Sequence, residues 1–382
     1  MKRLSGLIAR SDGSTPPGTV SFDTTIASVE ATGGARNGDY ILPGFIDLQV
    51  NGAGEIDVMD ASADALLRLS AELAREGTVA WLPTAITAPL DRIEAVAALI
   101  AEATAAQCRT ADDVLDESAQ AADSPTPSAT ILGMHLEGPF ISPARLGAHP
   151  PLNLPPRGAA LERVAALAGL RMVTLAPELD GALDAISRLN ASGVAVSLGH
   201  SAATLEQAQA AVAAGARMFT HTFNAMAPMY HRRPGIATAA VLPSRALAAV
   251  IADSVHVHPE MLRLLYRARG AGGICLTTDR VATGGAAPAS ALAGARIIDG
   301  AARMPGGTLA GSVISMLDAA RMMIDRTGAS AGEAALMGAT NPARVLGLEK
   351  RGKIEIGARA DLLVLSPALE LKAVIIGGRE LR

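Results

Sequence analysis

The chain has 382 residues, 49% of them hydrophobic and 18% charged, with a formal net charge of −4. That balance excludes a disordered chain, which would be poor in apolar residues. The slight acidity, with 2% aromatics, excludes a general nucleic-acid binder, which needs a basic footprint or stacking platforms.

The first residues, MKRLSGLIARSDGSTPPGTV, carry basic groups but no sustained apolar run, so no signal peptide is read there. No stretch of about 18 uninterrupted apolar residues predicts a membrane span. The segment up to residue 42 reads as short strands punctuated by turns (GSTPPGTV, ATGGARNGDY). The segment 349–382 resembles it, alternating apolar and polar residues in KIEIGARADLLVLSPALELKAVIIGGRE. Two β-rich ends around one body predict that the termini meet in a small sheet module.

The body, 43–348, alternates apolar runs with Ala/Leu-rich helices. Residues 64–77 and 204–216 show helical spacing, the second with Thr204 as N-cap. Eight runs end on Asp47, Thr84, Glu137, Glu178, His200, His221, Asp253 and Asp279. Eight strand-to-loop junctions with helices between them predict an α/β fold, a (β/α)8 TIM barrel. The alternative, an open doubly wound sheet, lacks a Gly-rich phosphate turn after its first strand. The polar segment 109–129 reads as an exposed insertion.

In such a barrel the C-terminal strand ends converge on one rim, where chemistry sits. A lone Glu or His at a strand end usually caps a helix or satisfies a hydrogen bond; their joint occurrence changes that reading. Glu137, His200 and His221 offer one carboxylate and two imidazoles, the donor set of a catalytic zinc with an open position. Asp279 either serves as acid/base beside a metal-held water or caps the next turn. The loop HTFNAMAPMYHRRPG (221–235) brings Asn224, His231, Arg232 and Arg233, suited to an anionic, oxygen-rich ligand. His256 and His258 share one side if extended. The turn GGTLAGS (306–312) has backbone N–H groups able to cup a hydroxyl or phosphate.

Met316, Met322 and Met323 read as core packing. Cys275 reads as an inert buried thiol. With Cys108 it is one of only two cysteines, too few for a disulfide framework, so a cytoplasmic setting is expected. His135 shares a strand face with Glu137, either as ligand or as a hydrogen-bonding neighbour. His231 and His258 receive no role.

Together PGFIDLQVNG (43–52), HLEGPF (135–140), SLGHS (197–201), HTFNAM (221–226), IADSVHV (251–257), TTD (277–279), GTLAGS (307–312) and NPARVLGL (341–348) resemble, in order, the N-acetylglucosamine-6-phosphate deacetylases of the amidohydrolase superfamily. The resemblance implies a small β-sandwich from 1–42 and 349–382 beside the barrel of 43–348. It also implies hydrolysis of the acetamide of N-acetylglucosamine 6-phosphate, in amino-sugar catabolism and cell-wall recycling. Glu137, His200 and His221 are then metal ligands and Asp279 the acid/base. Ala148, His149, Asn224, Ala225, His256, Leu309, Ala310, Gly311 and Ser312 are substrate contacts. Arg232 would reach the sugar phosphate of the neighbouring subunit in a homodimer, with Arg233 beside it as the other candidate.

The resemblance further implies one divalent metal per chain, with Zn²⁺ first and Fe²⁺ or another ion left open. Many amidohydrolases bind two metals through His-x-His on the first strand. Here that place reads Gln49-Val50-Asn51, and neutral amides are poor ligands for a transition metal. Two alternatives accompany this reading: deacetylation of the galactosamine epimer or another N-acyl substrate, and a non-catalytic sensor built on the same barrel.

Overall fold

A strand covered on both faces needs no polar residue until it leaves the sheet, which is why the runs of this chain are unbroken. The computed structural model describes residues 1–33, 38–113, 126–283 and 294–381, without the side chains of 109–113. Eight parallel strands form its centre: β1 (Phe45–Val50), β2 (Thr78–Ile86), β3 (Met134–Glu137), β4 (Leu170–Leu175), β5 (Ala195–Leu198), β6 (Met218–Phe219), β7 (Leu247–Val250) and β8 (Ile274–Leu276). They pair in chain order. The ring closes beyond β8, where Asp279 N–H donates to Gln49 O at 3.0 Å and Asn51 N–H donates to Arg280 O at 2.7 Å. This is the expected (β/α)8 barrel.

Helices cover the outside. Ala63–Arg75 is capped by Ser62, and Leu205–Ala214 starts with a capping box made by Thr204 and Gln207. The helix Leu90–Asp113 enters the polar segment read as an insertion; residues 114–125 lie outside the described residues. The lower barrel is filled by Ile46, Leu48, Ala80, Leu82, Met172, Ala195, Met218, Leu247, Ala249 and Cys275. The helix Asn341–Leu346 plugs it with Ala343, Val345 and Leu346. Met316 and Met323 are buried and Met322 packs against the core, as read from their spacing. Burial pushes the free Cys275 thiol up, out of reach of ionisation near neutral pH.

The terminal segments form a separate seven-stranded sheet. Its order is Arg379–Leu381, Leu371–Ile376, Leu362–Leu365, Tyr40–Pro43, Lys2–Ile8, Pro17–Phe22, Ile26–Ala31. Tyr40–Pro43 joins the two ends, parallel to Lys2–Ile8 and antiparallel to Leu362–Leu365. Ile8, Val20, Phe22, Ile41, Leu362 and Ile375 bury its inner face. Among the described residues no helix is long and apolar enough to cross a membrane.

Candidate active site

Above the apolar filling the barrel interior turns polar. Asp47, expected at a strand end, lies inside β1. There it accepts bonds from the Thr277 and Thr278 hydroxyls and from Gln49 N–H. Burial pushes its carboxyl up, against those hydrogen bonds. His135 Nδ1–H donates to Leu48 O at 2.9 Å, and Nε2 meets Thr174 Oγ1 at 2.8 Å. Burial takes this imidazole down to about 4, so it is neutral and supports the layer above.

That layer holds Glu137, at the end of β3, with His200 and His221, two residues past β5 and β6. His221 Nε2 lies 2.9 Å and His200 Nε2 3.2 Å from Glu137 Oε1, and the two Nε2 atoms are 3.1 Å apart. Donors at 2.0–2.2 Å from one tetrahedral ion stand about 3.3 Å from each other, so the spacing suits a shared ion. His200 Nδ1–H donates to Arg145 O at 3.0 Å, which leaves the Nε2 lone pair facing inward. The centre favours positive charge. Burial opposes protonation of His221, but the hydrogen bond and charge of Glu137 push it up to about 9. Glu137 is itself held well below the usual range: burial works against this, and His200, His149 and His221 outweigh it. The three residues could hold a metal.

Asp279 stands three residues past β8. A register shift between Asp47 and Val50 marks a bulge in β1, the kind of defect that re-aims side chains beside active sites. Gln49 Nε2 then donates to both Glu137 Oε1 (3.0 Å) and Asp279 Oδ1 (2.9 Å), and Asn51 Nδ2 donates to Asp279 Oδ1 at 2.7 Å. Burial and the charge of Glu137 push the Asp279 carboxyl up to about 6, against the pull of His221, His256 and Asn51. His200, His221 and Asp279 have backbone φ of 47°, 26° and 49°, and Phe223 and Ala225 are also left-handed, at 81° and 50°. Such strain gathers at functional sites.

These groups open into a cavity of about 390 Å³. Of the expected contacts, Ala148, His149, Asn224, Ala225, His256, Leu309, Ala310 and Gly311 line it. Thr87 N–H donates to His149 Nδ1 at 3.4 Å, so Nε2 carries the proton and faces Glu137 Oε2 at 3.4 Å. His256 Nδ1–H donates to Asp253 Oδ2 at 2.6 Å, and its buried Nε2 has no partner among the described residues.

Ser312 does not line the cavity; its hydroxyl is buried and donates to Thr278 O. Arg232, with His231 and Arg233, sits on an exposed hairpin formed by Met229–Tyr230 and Arg233–Pro234, away from this cavity. His258 caps the helix Pro259–Arg269 by accepting from Glu260 N–H. Of the remaining junction residues, Thr84, also expected at a strand end, lies inside β2 and accepts from Val50 N–H of the neighbouring strand; Glu178 accepts from Ser201 Oγ and Ala202 N–H, and Asp253 from the N–H groups of Val255 and His256. The sequence reading missed the donor roles of Gln49 and Asn51, the Thr87 support of His149, and Arg303, which lines the cavity.

The amidohydrolase family model matches residues 40–381. The chain belongs to the amidohydrolase family. This amidohydrolase is 37% identical to an N-acetylgalactosamine-6-phosphate deacetylase of Escherichia coli O157:H7, over 90% of this chain and 88% of that one. It is 34% identical to an N-acetylglucosamine-6-phosphate deacetylase of Lysinibacillus sphaericus, over 90% and 86%. Among solved structures it resembles a mutant N-acetyl-D-glucosamine-6-phosphate deacetylase from Mycobacterium smegmatis in complex with N-acetyl-D-glucosamine-6-phosphate. That match has a TM-score of 0.84 and 31% identity, over 99% of this chain and 98% of the other.

Proposed function

We propose that this amidohydrolase removes the acetyl group of N-acetylglucosamine 6-phosphate, releasing acetate and glucosamine 6-phosphate. The observation that carries the reading is one cavity holding the Glu137–His200–His221 trio and, tied to it through Gln49, the Asp279 carboxylate. Relatives of that activity over most of the chain support it. Glu137, His200 and His221 would hold a single divalent ion, Zn²⁺ by its taste for imidazole and carboxylate, with Fe²⁺ as the other outcome of metal analysis. When bound, such an ion acidifies water and polarises a carbonyl.

Asp279 takes the proton of the water that attacks the acetamide carbon. The His149 Nε2–H donates to the carbonyl oxygen as charge develops on it. Asp279 then gives the proton to the departing nitrogen, the C–N bond breaks, and the amine leaves neutral. His256, Asn224 and Ala225 orient the sugar. Gln49 and Asn51 point amide N–H groups at the carboxylates, a polarity that repels a second cation and supports one metal per chain. A stoichiometry near two in active protein would reject that part.

Arg232, on an exposed hairpin whose Met229 and Tyr230 are 41% and 58% exposed, is assigned to the phosphate site of a second copy in a homodimer. The cytoplasm and amino-sugar catabolism with cell-wall recycling are the setting this activity fits. The E. coli relative makes the galactosamine epimer the second substrate to try. The test is acetate release from each 6-phosphate, before and after chelation and after Zn²⁺ is restored. We expect turnover of the glucosamine compound, lost on chelation and regained. No acetate from either epimer would overturn the assignment.

A further inference from the structure

A second concavity lies at the base of the barrel, opposite the reactive rim. About 500 Å³ of space is bounded by Asn190, residues 213–217, Arg245, Leu247, Arg344 and Val345. It shares no lining residue with the cavity of Glu137 and Asp279. The strand order puts it there. Met218 opens β6, Leu247 opens β7, and the two pair in parallel register. Arg217 and Arg245 therefore precede neighbouring strands, which run about 5 Å apart, and Leu247 N–H donates to Arg217 O at 2.9 Å. The plug helix Asn341–Leu346 brings Arg344 beside them, because Arg217 Nη1 donates to Val345 O at 3.1 Å.

Three guanidiniums thus share one concavity that no described Asp or Glu lines. On the outer helices arginines meet carboxylates, as in Arg92–Asp60, Arg163–Glu94 and Arg188–Glu162. Arg217, Arg245 and Arg344 donate to neutral acceptors instead. Arg217 Nε reaches Asn190 Oδ1 at 3.0 Å, and Arg344 Nη2 reaches Gly272 O at 2.7 Å. Arg245 uses Nε and Nη2 on the carbonyls of Val212 and Ala213, at the end of the helix Leu205–Ala214.

Such bonds satisfy helix-end carbonyls, but they occupy only one edge of each fork. Arg217 Nη2, Arg245 Nη1 and the Nε and Nη1 of Arg344 have no acceptor among the described residues. The positive charge is not offset either: burial and the charge of Arg344 hold nearby Arg269 below its ordinary value. All three side chains are exposed or half-buried, so a solute can reach them. Converging guanidinium forks with donors to spare match a phosphate in both charge and geometry.

We propose that the base of the barrel is a second anion site, where Arg217, Arg245 and Arg344 bind a phosphate group, free or carried by a small ester. The site is separate from the substrate cavity and does not depend on the deacetylase reading.

The test is calorimetric titration of wild type and R245Q/R344Q with inorganic phosphate and with glucosamine 6-phosphate, at fixed ionic strength. Wild type should show one more tight equivalent per chain than the variant, whether or not the rim cavity also fills. Loss of the charge-assisted bonds should weaken that site about 10–100-fold. R245K/R344K should recover part of the affinity, because point charges replace the forks. Tighter binding of the ester assigns the site to a phosphorylated sugar; equal or weaker binding assigns it to the free ion.

The same number of sites with the same affinities in wild type and R245Q/R344Q overturns the proposal. So does equal binding there of glucosamine, which has no phosphate. If the double variant does not fold, R344Q decides, since Arg344 holds a single bond, to Gly272 O, among the described residues. An extra site of unchanged affinity in R344Q then overturns the proposal.

Discussion

The two ends of the barrel interior are built from the same eight strands by opposite rules. The lower end is apolar, from Ile46 and Leu48 around to Cys275, and is closed by Ala343, Val345 and Leu346. The upper end buries Glu137, His200 and His221 beside the half-buried Asp279, three of these four at left-handed φ. It also leaves Gln49 Oε1, Asn51 Oδ1, His221 Nδ1 and His256 Nε2 without partners among the described residues. Strained backbone costs on the order of 1–3 kcal/mol per residue, and unpaired buried polar atoms cost about as much. The comparison teaches that the packed end stabilises what the reactive end destabilises. It also puts variants of the two ends into different assays.

The largest separation is expected from Asp279→Asn. Turnover should drop about 10²–10⁴-fold, while metal content and the denaturant midpoint match wild type. Unchanged turnover would remove Asp279 from the chemistry. At the other end, Leu346→Ala should lower unfolding free energy by about 2–5 kcal/mol, with kcat of the folded fraction preserved. A loss of kcat there would mean that the plug shapes the site and that the two ends are not independent.

Gln49→Ala probes the seam between them. It removes a donor shared by Glu137 and Asp279 and should cost about 10–100-fold in activity or metal affinity, read from titrated metal and steady-state rates. The smallest effect should come from Ala225→Gly at φ 50°. Relief of left-handed strain outweighs the added chain entropy by roughly 0.5–1 kcal/mol. The denaturant midpoint should therefore rise, and a fall would show that the rim is not strained at this residue.

The architecture was legible because a strand buried on both faces writes itself as an uninterrupted apolar run, and its polar end is the residue delivered to the rim. That is how Glu137, His200, His221 and Asp279 stood out. The same signal also selected Thr84, which lies inside β2, and Glu178 and Asp253, which accept backbone N–H groups instead of lining the cavity, since an apolar run reads the same whether the polar residue after it satisfies backbone or faces a cavity. Asp47 fell inside its strand because a bulge carries β1 further before it ends. That Arg303 lines the cavity was invisible, because its place depends on the register of a hairpin that pairs it with Leu309. Ser312 follows three residues that line the cavity, Leu309, Ala310 and Gly311, but its own hydroxyl turns to Thr278 O.

The pairing of Tyr40–Pro43 with Leu362–Leu365 has a bearing on biosynthesis. A ribosome must add about 320 residues after Pro43 before its partner emerges. At about 5–20 residues per second that is on the order of 15–60 s. Throughout that interval Tyr40–Pro43 lacks the strand that covers its second edge in the finished sheet, and an uncovered edge is a template for pairing with other chains.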